Sequence, residues 1–275
     1  MEPASACSVS QSPRASTAAA PSTGTGRERG YTPVVEEGGR GSKGWFVTLE
    51  GPEGSGKSTQ SERLRETAAA AGQDVVLVRE PGGTAAGERV RAILMDAGPV
   101  GIRLTQRTDA LLFSAARVQL IDEVIGPALR RGALVISDRY ADSTLAYQGG
   151  GGELPLDELR SVLRFATGGL RPDRTILLDL PVEVGLARKS SAETTRFEAH
   201  FDRAFHERVR AAYLSFAAAE PDRWVVVDGT AAPDDVFAAL WSVLAGIPGL
   251  GPRLSGLLAA MPPGGREASF DGPLA

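Results

Sequence analysis

The sequence predicts an α/β protein: a five-stranded parallel sheet between two helical layers (α/β/α), of the P-loop NTPase type, with a short lid. Three observations carry this. Five short apolar runs alternate with helical stretches, which places parallel strands under covering helices with right-handed crossovers. The first run feeds directly into a glycine-rich loop and a helix. Late in the chain, from Arg188 to Glu198, the apolar pattern lapses into a polar, cationic stretch.

Taken in order, residues 1–43 are rich in Ser, Thr, Ala, Gly and Pro and read as a disordered tail. The domain is expected over 44–246. Trp45 to Leu49 is the first strand. Gly51-Pro52-Glu53-Gly54-Ser55-Gly56-Lys57-Ser58-Thr59 fits the phosphate-binding pattern G-x-x-x-x-G-K-[ST], and Ser58 to Ala71 is its helix. Glycines let successive backbone N–H groups converge on phosphate oxygens, and the helix N-terminus adds partial positive charge. Lys57 is placed to reach the β- and γ-phosphates, and the Ser58 hydroxyl to ligate Mg²⁺.

Asp74 to Val78 is a second, buried strand, ended by Arg79-Glu80-Pro81-Gly82-Gly83-Thr84. Arg79 and Glu80 therefore sit at the carboxyl edge of the sheet, where ligands bind in open α/β folds. Ala85 to Asp96 is helical, with Val90, Ile93 and Leu94 on one face. A long helix follows from Gln106 to about Arg130, its apolar stripe Leu111, Leu112, Ala115, Val118, Ile121 and Val124. Phe113 and Arg117, four apart, share a face beside that stripe. An aromatic ring and a guanidinium there can hold a planar ligand ring; they can equally form a surface cation–π pair.

Ala133 to Ser137 is the third strand, with Asp138-Arg139-Tyr140 at its end. An acid in that position serves Mg²⁺ in P-loop enzymes and the neighbouring arginine can clamp a phosphate; the alternative is a structural ion pair. Gly149 to Gly152 reads as a mobile or tightly approached loop outside the core. Leu156 to Thr167 is a helix, Thr175 to Leu180 the fourth strand, and Pro181 opens another helix. The stretch from Arg188 to Glu198 is either a solvated helix end or a lid that closes on phosphates. A helix from Glu198 to Ala219, a strand from Trp224 to Asp228 and a helix from Pro233 to about Ala245 complete the domain. Residues 247–275, rich in Gly and Pro, read as a poorly ordered tail with a short helix near Arg253 to Ala260.

Composition narrows the function. Thirty Lys and Arg against 34 Asp and Glu, net charge −4, argue against a nucleic-acid binder. One cysteine, Cys7, allows no disulfide within the chain, which suits a cytoplasmic protein; no apolar run is long enough for a membrane span. A GTPase would carry N-K-x-D, and the chain has no Asn. A motor or helicase fits poorly with Asp138-Arg139. A small phosphoryl-transfer kinase fits the size, the cationic sheet edge and the lid.

Five stretches in order complete the picture: Gly51–Thr59, Arg79-Glu80-Pro81-Gly82-Gly83-Thr84, Phe113-Ser114-Ala115-Ala116-Arg117, Asp138-Arg139-Tyr140 and Ala146-Tyr147-Gln148-Gly149. Together, extended by Arg171-Pro172-Asp173 and Leu178-Asp179, they resemble the bacterial thymidylate kinases, P-loop nucleoside monophosphate kinases, over about Gly44 to Ala245. The resemblance implies transfer of phosphate from ATP to dTMP, with Mg²⁺, by a homodimer. It implies that Gly51 to Thr59 cradle ATP, that Ser58 and Asp138 serve Mg²⁺, and that Glu53 reaches the acceptor's 3′-hydroxyl. Phe113 would stack on thymine, Arg117 would bond its edge, and Arg139, helped by Arg79, would hold the acceptor phosphate. Ser143 and Thr144 lie where the family contacts the base, and Tyr147 where a ring disfavours a 2′-hydroxyl. With no arginine in the P-loop, Arg188 or Arg196 joins Lys57 and Arg139 in catalysis. The lid departs from the family pattern at Ser190, Ser191 and Thr195, which bears on turnover rather than binding. Two alternatives stand beside the kinase: a nucleotide-binding protein with weak turnover, and a related kinase with a shifted choice of acceptor.

Overall fold

The computed structural model describes residues 44–95, 103–188 and 201–254. Strands β1 (Trp45–Glu50), β2 (Val75–Arg79), β3 (Leu134–Asp138), β4 (Arg174–Asp179) and β5 (Trp224–Asp228) form one parallel sheet in the order β2-β3-β1-β4-β5. β1 is central. The chain fills one side of it up to β3 and the other from β4 onward. The crevice beyond the carboxyl end of β1 is therefore the topological switch point, the ordinary place for a ligand in such sheets.

Alternation along β1 serves two cores. Val47 and Leu49 face Leu64 and Ala68 of α1 (Lys57–Ala70) and Leu240 and Leu244 of α9 (Pro233–Ala245). Phe46 faces the other way, onto Leu120 of α3 (Gln106–Leu120) and Tyr140. A third cluster joins Leu177 of β4 and Tyr147 to Phe205, Val209 and Tyr213 of α8 (Arg203–Ala219).

Several elements differ from the sequence expectation. The helix foreseen from Gln106 to Arg130 is a continuous rod with a π-helical turn at Ile121–Ile125, followed by α4 (Gly126–Arg130). Pro127 has no N–H to continue the α pattern, and just before it Gly126 N–H bonds back to Ile121 O, five residues away. On α3 the buried side carries Ala110, Ser114, Arg117 and Leu120, while Leu111 and Ala115 of the expected stripe are exposed. Ile93, on α2 (Ala85–Met95), is likewise exposed and Leu94 buried. The glycine run is not outside the core. After α5 (Ala141–Thr144) a second π-helical segment, Leu145–Gly151, buries Gly149 and Gly151. A Cβ on Gly151 would lie 2.6 Å from the Phe205 ring, so of the two readings tight approach is the right one. α6 (Leu156–Thr167) ends where expected, capped by left-handed Gly168. α7 (Val182–Arg188) follows β4. α8 starts at Arg203 rather than Glu198, because Asp202 is extended and its carboxylate accepts the Phe205 N–H at 2.8 Å. Residues 247–254, assigned to the tail, instead place Ile247, Leu250 and Leu254 in the α1/α9 core.

Candidate active site

The loop between β1 and α1 is shaped by backbone contacts that exclude side chains. Gly54 has φ +70°, and a Cβ there would stand 2.0 Å from the carbonyl oxygen of Gly185. A Cβ on Gly185 would likewise stand 2.2 Å from the Glu53 carbonyl oxygen. The loop thus rests backbone to backbone on α7, which fixes where Arg188 emerges. Lys57, nearly buried, folds back: Nζ donates to Gly51 O at 3.0 Å, Pro52 O at 2.7 Å and Ser55 Oγ at 3.0 Å. Burial, reinforced by the Arg139 charge, lowers its pKa to about 8. Ser58 and Thr59 are exposed in the first turn of α1. The Ser58 hydroxyl donates to Asp138 Oδ2 at 2.5 Å, so the two residues expected to serve a metal meet across 80 positions of sequence. Both present oxygen, the donor type that suits a hard divalent cation. Among the described residues no group of three or more His, Cys, Asp or Glu forms a metal cage. The Ser58–Asp138 pair offers two oxygen donors, which fits an ion whose other positions are filled by phosphate and water oxygens.

The ends of β2 and β3 supply most of the other wall. Arg117, taken from the sequence as lying on an exposed face, is 1 % exposed. Its Nε and Nη2 grip Glu80 Oε2 at 2.8 and 2.7 Å, and Nη2 also donates to Tyr140 O and Thr144 Oγ1, each at 3.2 Å. Burial pushes the Glu80 carboxyl up, and Arg117 opposes that. The cation–π partner of Arg117 is the Tyr140 ring at 5.5 Å, so the surface-pair reading of Phe113 with Arg117 fails. Nη1 of Arg117 and Nε2 of Gln148 are buried with no hydrogen-bond partner among the described residues. Two unsatisfied donors beside a cleft mark a place where a polar ligand fits.

Arg139 has φ +71°, rare for a side chain this large. The conformation is held from all sides. Nη2 donates to Glu53 Oε1 at 2.8 Å and to the Tyr147 hydroxyl at 3.1 Å, while Nη1 donates to Gly51 O, Ser143 Oγ and the Tyr213 hydroxyl at 3.1, 3.2 and 3.4 Å. The Tyr147 hydroxyl in turn donates to Glu53 Oε1 at 2.9 Å.

One cleft of about 670 Å³ gathers these groups. Glu53 to Thr59, Arg79, Phe113, Asp138, Arg139, Ser143, Thr144, Tyr147 and Arg188 all line it. Arg79 is exposed and leans on Glu88 at 3.4 Å. Arg188 donates to Gly229 O at 2.7 Å. Gly51 and Pro52 are buried beneath the loop, and Arg117 lies behind Thr144. Arg196, with the rest of the expected lid stretch after Arg188, lies outside the described residues. Sequence reasoning missed Arg91, which lines the cleft and whose pKa is lowered by burial and then by Arg79. Arg91 adds to the cationic lining of the cleft, with Glu88 and Asp138 partly offsetting it. Sequence reasoning also missed Glu50 and Tyr213. Glu50 gave no signal of its own, since every strand of the sheet closes on a charged residue.

Comparison with known proteins places the chain in one family. Residues 49–240 match the family model described as Thymidylate kinase. The thymidylate kinase of Thermomicrobium roseum is 50 % identical over 202 residues, covering 73 % of this chain and 94 % of that one. That of Deinococcus radiodurans is 47 % identical over 204 residues, covering 74 % and 97 %. Among solved structures, the thymidylate kinase of Ehrlichia chaffeensis superposes with TM-score 0.59 at 31 % identity, over 73 % of this chain and 98 % of the other.

Proposed function

The chain belongs to the thymidylate kinase family, and from that premise we propose how its own residues share the reaction. It transfers a phosphoryl group from ATP to dTMP, giving ADP and the dTDP needed for dTTP. In that step an oxygen of the dTMP phosphate bonds to the γ-phosphorus as the bond to the bridging oxygen of ADP breaks. Two anions must be aligned and their charge offset, and little covalent work falls to the protein.

The observation that carries the assignment is the single cleft lined by both a P-loop and an arginine-rich wall. Gly51 to Thr59 cradle the ATP phosphates, and Lys57 swings from its carbonyl and hydroxyl acceptors to the β- and γ-oxygens. Ser58 and Asp138 would hold Mg²⁺, which supplies charge neutralisation at the transferred group. Arg139, pre-set by its left-handed backbone, holds the acceptor phosphate with help from Arg79. Phe113 flanks the thymine, and the spare Nη1 of Arg117 reads its edge with Thr144 and Ser143 nearby. Glu53 takes the 3′-hydroxyl, and the Tyr147 ring occupies the space a 2′-hydroxyl would need. Arg188 or Arg196 completes the charge over the γ-phosphate as the lid closes.

A homodimer is the proposed assembly. On α3, Leu111 is 59 % exposed, and Phe165, on the neighbouring α6, is 85 % exposed. Apolar side chains so placed call for a covering surface. The catalytic domain is taken as residues 44–254. A cytoplasmic location is consistent with the lone Cys7; among the described residues no helix is long and apolar enough to cross a membrane. Among the described residues no feature favours weak turnover or a shifted acceptor; Ser190, Ser191, Thr195 and Arg196 lie outside them.

The test is ADP release with ATP, Mg²⁺ and dTMP, beside dUMP, dCMP and dGMP, with Lys57→Ala as control. Fast turnover on dTMP, lost in the control, is expected. Saturable dTMP binding with almost no ADP would overturn the assignment of catalytic roles.

A further inference from the structure

Glu50 closes β1 immediately before the P-loop, fully buried, and the assignment above gives it no role. Its Oε1 accepts the Tyr140 N–H at 2.8 Å. Its Oε2 accepts two hydroxyls, Ser143 Oγ at 2.6 Å and the Tyr213 hydroxyl at 2.9 Å. Those same two oxygens are acceptors for Arg139 Nη1. A hydroxyl has one proton. While each proton points at Glu50, the lone pairs on both oxygens are free for the guanidinium.

We propose that Glu50 is a positioning residue for the acceptor side: through Ser143 and Tyr213 it presents Arg139 to the acceptor phosphate. The proposal rests on the reading of Arg139 as the holder of that phosphate. Its logic is directional. The carboxylate accepts only, so with the Ser143 and Tyr213 hydroxyls both donating to it, their own 2.8 Å contact is left without a proton and both oxygens accept from Arg139. Glutamine cannot reproduce the set. With its oxygen toward the hydroxyls, its amide group would face the Tyr140 N–H, donor against donor. Turned over, it would drive one or both hydroxyls to point at Arg139, where a cation already donates.

Protonation of Glu50 has a similar effect, because the added proton must be donated to one of the hydroxyls. Burial and the facing Asp142, itself paired with Arg223, raise this carboxyl to about 7, against the pull of Ser143, Arg139 and Tyr213. Lys57 faces it from α1. Acceptor binding is therefore expected to weaken as pH falls through about 7.

The experiment is steady-state kinetics on the full chain, varying ATP and dTMP separately, for wild type, Glu50→Gln, Ser143→Ala/Tyr213→Phe, their combination, and Arg139→Lys. Glu50→Gln is expected to raise KM for dTMP about tenfold, the scale of a lost hydrogen bond to a charged group, with KM for ATP within about twofold. The double hydroxyl variant should do the same, and the combination should add nothing further. The wild-type fall in kcat/KM for dTMP near pH 7 should vanish in Glu50→Gln, leaving only the ionisation of the phosphate itself near pH ~6. Parallel shifts in both KM values would overturn the proposal, as would additive effects. An unchanged KM for dTMP in the hydroxyl variant would also overturn it, whether or not Glu50→Gln folds. If Arg139→Lys raises KM for dTMP while the other variants do not, the proposal alone falls. If Arg139→Lys leaves it unchanged, the reading of Arg139 falls as well.

Discussion

The two sides of the cleft are built on opposite plans. The donor side is a local, backbone structure. Lys57 reaches acceptors two to six positions away, and the loop's shape depends on glycines. The acceptor side is a long-range, side-chain structure. Arg117 meets Glu80 across 37 positions, Arg139 meets Glu53 across 86, and Tyr213 meets Glu50 across 163. Charge is handled differently too. Arg117 and Arg139 are each already paired with a carboxylate, while all three acceptors of Lys57 are neutral. One side is thus poised and unbalanced, the other balanced before any ligand arrives.

If the sides are separable, the largest effect comes from removing the unbalanced charge. Lys57→Ala should lower kcat by about 10²–10³-fold or more, as for loss of one preorganised charge-stabilising donor. The dissociation constant for dTMP, measured by calorimetry, should stay within about threefold. A parallel loss of dTMP binding would join the two sides into one unit.

The balanced side should fail differently. Arg117→Met leaves Glu80 buried without its cation, which costs about 3–5 kcal/mol of stability, visible in urea or thermal unfolding. Arg117→Met/Glu80→Met should recover most of that stability, because the pair is removed together. It should not recover dTMP binding. Recovery of both would make Arg117 a structural residue only.

The same contrast explains what the sequence could disclose. Nine consecutive residues spell the donor loop, and five apolar runs alternating with helices spell the five parallel strands, so both are readable without coordinates. Arg117 was legible as a site residue only by resemblance. Its spacing to Phe113 put it on an open face, whereas α3 turns the apolar Leu111 outward and the arginine inward. Periodicity reports which residues share a face, and not whether that face meets the core or another molecule. Glu50 and Tyr213 gave no usable pattern, because their partnership exists only once β1 and α8 are packed. The glycine run misled in the same way: its lack of side chains serves close contact with α8 and Phe205, which the composition alone cannot tell from mobility.

A finer test separates ring from hydroxyl on the acceptor side. Tyr147→Phe deletes the bonds to Glu53 and from Arg139 and keeps the ring. Weakening of dTMP binding by about two- to tenfold is expected, the range of a net hydrogen bond. Discrimination against the ribose form of the acceptor should persist, since the ring excludes the 2′-hydroxyl. Loss of that discrimination would shift the role to the Tyr147–Glu53 contact.

The smallest effect bears most directly on the charge difference. Lys57 has its pKa lowered to about 8, chiefly by burial. A lysine depressed in the folded state adds stability above its ordinary value near 10.5, and that stability is lost as pH falls through about 8. Below pH 8 the free protein therefore holds a charged, ill-compensated lysine. ATP phosphates remove the imbalance and raise its pKa again, so at pH 9 ATP binding should take up a fraction of a proton. Calorimetry in two buffers of different ionisation enthalpy reads that uptake, and Lys57→Ala should abolish it. Thymidylate should take up almost none at that pH. Arginines do not titrate there, and Glu50, at about 7, has already lost its proton. Equal uptake for both ligands would mean that the acceptor also engages Lys57, and that the charge of the two sides is shared rather than divided.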